Sequence, residues 1–112
     1  MSHVVQVVQP SGFLTELKAK QLRHQVDDLV SNGVDIILVD LQDVIFIDSS
    51  GIGALIVAQR VAQAADCQFF ICSIAAQIKM LFELNKMDRL FKIFADREEF
   101  RNAVLSNKLA TE

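Results

Sequence analysis

The chain holds 112 residues, 52% of them hydrophobic and 22% charged, the makeup of one folded domain rather than a disordered segment or a pair of domains. A net charge of −3 with no Trp and no Tyr argues against direct nucleic-acid binding, which draws on clustered cations and stacking rings. The longest uncharged apolar stretch, Gly51 to Ala58, falls well short of the roughly 20 residues that span a bilayer, and Met1-Ser2-His3-Val4 lacks the basic-then-apolar pattern of an export signal, so no membrane partner and a cytoplasmic location are expected.

Val4 to Val8 is rich in Val and alternates loosely, which predicts a strand closed by Pro10-Ser11-Gly12. Thr15 is placed to cap a helix running to about Asn32. Its apolar positions Ala19, Leu22, Val26, Leu29 and Val30 recur at helical spacing, and Gly33 fits the residue just past its end. Asp35 to Leu41 is apolar on both faces and too short for a helix, which predicts a strand covered on both sides. Val44 to Ile47 forms a second short apolar piece, and Ile52, Leu55, Ile56, Gln59, Ala62 and Ala65 then mark a helix of about 14 residues. Gln68 to Cys72 is the next strand. Ser73 is placed to cap a helix holding Ile78, Leu81, Phe82 and Leu84, and Leu90 to Phe94 makes a last short strand. Asp96 followed by Glu99 resembles a capping box that opens a final helix with Phe100 and Val104 inward.

Strands alternating with helices predict an α/β domain with a mainly parallel sheet and right-handed crossovers. Sites in such sheets lie where strands end and helices begin. That points to Asp48-Ser49-Ser50-Gly51. Three good N-cap residues stand in a row where one suffices. Gly51 and Gly53 then weaken the first turn by up to about 1 kcal/mol each. Free amides and the positive end of a helix favour an added phosphate, and glycines let another molecule come close. Ser and Asp also cluster before helices simply as caps, and no Lys-Ser/Thr completes a phosphate-cradling loop.

The run Asp43-Val44-Ile45-Phe46-Ile47-Asp48-Ser49-Ser50-Gly51-Ile52-Gly53-Ala54-Leu55 resembles the signature of STAS domains of the anti-sigma-factor antagonist type. Ile78 to Leu84 and Met87 to Phe94 resemble that family's later helix and final strand. The resemblance extends from Gly12 to Val104. It implies a single STAS domain over 1–112, with a core at about 4–105, a flexible tail at 106–112, four or five strands in a small mixed, mainly parallel sheet, and about four helices. It also implies a phospho-switch. Ser49, directly after the Asp, is the residue phosphorylated by a serine kinase of the anti-sigma-factor type, with ATP bound by the kinase. A PP2C-like phosphatase removes the phosphate. The unphosphorylated form binds the anti-sigma factor and releases a sigma factor, with Asp48, Ser50, Gly51, Ile52, Gly53 and Thr15 at the partner surface. No catalysis, cofactor or metal is implied. Other relatives act as constitutive subunits of signalling scaffolds. Thr15 stands where the family usually has Asp, and Ala76 where it tends to have Pro.

The remaining candidates have plainer expectations. His24 is expected in solvent and His3 in a loose terminus. Asp40 is expected to end a strand, and Arg97, Glu98, Glu99 and Arg101 to form a solvated helix face. Phe69, Phe70, Phe82, Phe91, Phe94 and Phe100 are expected in the core. Cys67 and Cys72, five apart, are expected as free buried thiols on opposite faces.

Overall fold

The computed structural model describes residues 4–106; His3 and all but the first residue of the expected 106–112 tail lie outside them. Among the described residues, six strands and four α-helices follow in the order β1 (Val5–Val8), β2 (Gly12–Leu14), α1 (Glu16–Ser31), β3 (Ile36–Asp40), β4 (Val44–Ile47), α2 (Ser49–Ala64), β5 (Gln68–Cys72), α3 (Ala76–Leu84), β6 (Lys92–Phe94) and α4 (Arg97–Phe100). A 3₁₀ turn at Met87–Arg89 precedes β6, and a π-helical stretch at Arg101–Ser106 continues α4. The main sheet has the order β1-β3-β5-β6, and β2 and β4 form a separate two-stranded sheet. Each of these pairings is parallel.

The central strand β3, Ile36-Ile37-Leu38-Val39-Asp40, is buried throughout, as its two-sided apolar pattern predicts. Its side chains alternate between two cores. Ile37 and Val39 join α1, α2 and α3 through Leu22, Val26, Leu55, Ala58, Ile78 and Phe82. Ile36 and Leu38 join Cys72, Phe94, Phe100 and Val104 under α4. Cys67 belongs to the first core and Cys72 to the second, both as free thiols. Burial raises both thiol pKa values, helped by the nearby Asp35 carboxylate at Cys67 and opposed by a Ser73 hydrogen bond at Cys72.

Several expectations change. Pro10-Ser11-Gly12 is expected only to close β1, with no strand before the helix at Thr15, but Gly12-Phe13-Leu14 is a strand that finds its partner about thirty residues on, in β4, a parallel pairing that local composition does not signal. Thr15 holds the N-cap position of α1 but makes no side-chain capping bond. Ser73 does not cap α3: it takes a left-handed backbone (φ 60°), and Ala75 precedes the helix without a side-chain cap. The helix after Asp48 has 16 residues because it begins at Ser49 itself.

Arg97 is not simply a member of a solvated face. Its Nε donates to the Asp40 carboxylate at 2.6 Å, and its Nη2 donates to Gln9 at 2.5 Å. Asp40 does end its strand, but it is 1% exposed and also accepts from the Gln42 amide. A buried carboxylate requires such partners. The capping box of α4 is present in shifted form: Asp96 accepts from the Glu99 amide, while Glu99 reaches back to the amide of Ala95. Phe69, Phe82, Phe91, Phe94 and Phe100 are buried, Phe70 is half-buried, and His24 is exposed.

Candidate functional site

Leu14, the last residue of β2, pairs with Ile47, the last residue of β4. Because the strands are parallel, α1 and α2 leave this small sheet at the same end. Thr15 and Asp48 occupy equivalent N-cap positions, so two helix N-termini stand side by side.

At the second of these ends the Asp48 side chain accepts from the Gly51 amide at 3.1 Å. The cap is therefore supplied by Asp48, as an extended N-cap residue should supply it, and the hydroxyls of Ser49 and Ser50 are not needed for it. Both serines are exposed, and Asp48 is half-buried.

The two glycines have different roles. A Cβ at Gly51 would fall 2.2 Å from the Leu14 carbonyl oxygen and 2.6 Å from Ile47 Cγ1. Gly51 is buried, and its missing side chain lets α2 sit against the end of β2; the close approach that was expected from outside is made by the chain itself. A Cβ at Gly53 would meet nothing within 4 Å, so there the backbone is open to an approaching molecule.

Ser49 stands between two depressions. One, of about 320 Å³, runs between α1 and α2 and is lined by Glu16, Ala19, Arg23, Ser49, Ser50, Gly53, Ala54 and Val57. The other, of about 500 Å³, runs between α2 and α3 and is lined by Ile47, Asp48, Ser49, Ile52, Gly53, Ile56, Leu81, Asn85 and Met87. The second is an apolar trough with a polar end at Asp48 and Ser49. Of the residues singled out from sequence, Asp48, Ser49, Ser50, Ile52 and Gly53 come together here. Gly51 lies beneath them, and half-buried Thr15 marks the neighbouring helix start. Sequence inspection missed Glu16 and Arg23 on α1 and Leu81, Asn85 and Met87 beyond α2. Recognising β2 as a partner of β4 would have brought α1 to the site. Among the described residues, no cluster of three or more His, Cys, Asp or Glu is arranged to hold a metal, and no helix is long and apolar enough to cross a membrane.

The architecture and the open serine pair define a small parallel α/β domain with a solvent-facing hydroxyl at a capped helix start. The STAS domain family model matches residues 2–100, and the chain belongs to that family. Several solved structures share the fold. Bacillus SpoIIAA, an anti-sigma factor antagonist, in its unphosphorylated form is 20% identical, with a TM-score of 0.71, covering 93% of this chain and 92% of that one. A protein of Thermotoga maritima described as an anti-sigma factor antagonist is 24% identical, with a TM-score of 0.82 and coverages of 89% and 86%. The STAS domain of a SulP transporter from Vibrio cholerae is 15% identical, with a TM-score of 0.79 and coverages of 98% and 88%.

Proposed function

We propose that this chain is a partner-switching regulator of the anti-sigma-factor antagonist kind, controlled by reversible phosphorylation of Ser49. The observation that carries this is an exposed Ser49 hydroxyl left free of the cap by Asp48, at the meeting point of two depressions. The similarity to SpoIIAA, solved in both unphosphorylated and phosphorylated forms, supports it. Its partners are an anti-sigma factor that is also a serine kinase, and a PP2C-like phosphatase. Its own role is to bind and to be modified, and its place is the cytoplasm.

Docking uses the apolar trough at Ile52 together with Asp48, Ser50, Gly53 and the neighbouring Thr15. Phosphorylation adds a charge of about −1.5 to −2 beside Asp48. The helix end offsets about 0.3–1 kcal/mol of the cost to the domain itself, so the fold is kept. A bound partner faces an unmatched dianion at its interface, which costs several kcal/mol. A loss of about 4 kcal/mol lowers affinity roughly a thousandfold.

The test combines the chain with an anti-sigma-type kinase and ATP. Mass spectrometry should find one acid-stable phosphate at Ser49, absent from Ser49→Ala, while calorimetry shows Ser49→Asp losing the kinase that wild type binds. Phosphate persisting in Ser49→Ala, or equal binding by Ser49→Asp, refutes the switch. Equal binding would favour a constitutive scaffold subunit, the second use of the fold, which the exposed Phe13 and Phe46 side chains favour.

A further inference from the structure

Away from the trough, the outer face of the β2–β4 sheet presents Phe13 at 58%, Ile45 at 62% and Phe46 at 48% exposure. The Phe13 and Phe46 rings lie 5.6 Å apart. A regular strand alternates, so with Val44 turned inward Phe46 would follow it into the core. The register prevents this. Gly12 pairs with Val44, but Phe13 pairs with Phe46, so β4 sets two residues against one step of β2. This bulge yields the inward, outward, outward, inward order of Val44, Ile45, Phe46 and Ile47. An irregularity that turns an extra large apolar side chain toward water has no use in packing the core, and such clusters mark contact surfaces.

The charges around this face select the occupant. Exposed Asp43 and half-buried Asp48 flank β4 in sequence, and Glu16 follows two residues after β2; Asp48 and Glu16 also line the depressions at Ser49, so the two surfaces share this acidic edge. Between Arg23 and Arg60, Asp is the sole charged residue type. Lys18, the cation near β2, is half-buried and donates to the Ser11 carbonyl. A second copy docked about a two-fold axis would bring these same carboxylates against themselves. An anionic membrane would be repelled in the same way. A segment with cations at its ends satisfies both the rings and the acidic rim. We propose that Phe13, Ile45 and Phe46 dock an apolar segment of another protein bracketed by Lys or Arg, a contact whose apolar residues lie outside the Ser49 trough and which does not require phosphorylation of Ser49.

The test uses the full chain, isotopically labelled, and two blocked peptides that share an apolar core, one bracketed by lysines and one by glutamates. The lysine peptide should shift the amides of 12–14 and 44–47 saturably, with a Kd below about 1 mM. Ile45→Lys and, separately, Phe46→Thr should weaken it at least about tenfold, with the rest of the amide spectrum unchanged. Ser49→Ala should bind the lysine peptide as wild type does, whatever its effect on kinase recognition. Equal shifts from both peptides, no saturation, or shifts centred elsewhere overturn the proposal. Self-association that Ile45→Lys abolishes would assign the face to a second copy, and sedimentation with phosphatidylserine vesicles would assign it to a membrane; either overturns the proposal.

Discussion

An alanine at position 51 would have to place a methyl group 2.2 Å from the Leu14 carbonyl oxygen, and backbone cannot move aside as a flexible side chain can. The start of α2 would shift outward, opening its contact with β2. At position 53 the same methyl meets open space on a helix where glycine is a poor residue. Opposite signs follow. Gly51→Ala should destabilise by about 1–3 kcal/mol, and Gly53→Ala should stabilise by about 0.5–1 kcal/mol, as read from urea midpoints; midpoints that move together would refute the assignment. From sequence the two residues look alike, since each weakens a first turn, and only the packing of α2 on Leu14 separates them. The same holds for the caps. Asp48 and Asp96 do cap their helices, whereas Thr15 occupies the right position without the bond and Ser73 lies outside it. A capping residue type marks a helix start, but the local backbone decides whether its oxygen reaches an amide.

Among the elements, those with strong periodicity were legible: α1, α2, β3 and β5 lie close to where their patterns predict. The three-residue β2 was not, because its stabilisation comes from a partner in β4 and its sequence offers no period of its own. Without that pairing the neighbourhood of α1 and Ser49 could not be read. The role of Arg97 was hidden for a similar reason, since Asp40 lies 57 positions away in sequence. That pair and the Gln9 contact dock the start of α4 onto the ends of β3 and β1. Arg97→Ala would leave the buried Asp40 carboxylate with its Gln42 amide bond. The guanidinium side chain is 42% exposed, so the cost should fall well below that of a fully buried pair, at about 1–3 kcal/mol. Because Phe100 and Val104 cover Cys72 in the smaller core, the effect should be local. Thiol labelling of Cys72 should accelerate in Arg97→Ala while Cys67 stays slow. Equal acceleration at both thiols would mean that α4 does not open as a separate unit.

At the scale of the whole molecule, the four-stranded main sheet has a core on each face, and each core buries one thiol. Desolvation raises both thiol pKa values in the folded chain; at Cys67 Asp35 adds to the rise, and at Cys72 Ser73 opposes it. In the unfolded chain the thiols titrate near about 8.5. Below that pH both states hold the thiol protons, and the thiols give stability no slope. Above it the unfolded chain loses protons that the folded chain retains, so stability falls with rising pH until the folded thiols also ionise. Urea unfolding followed from pH 7 to pH 10 should therefore give a midpoint that drops only on the alkaline side. In a Cys67→Ala, Cys72→Ala double variant, less stable overall by the loss of packed sulfur, the alkaline drop should become shallower. An equal drop in the double variant would mean that the other titrating groups control alkaline stability, and that the thiols behind the two faces of the sheet take no part in it.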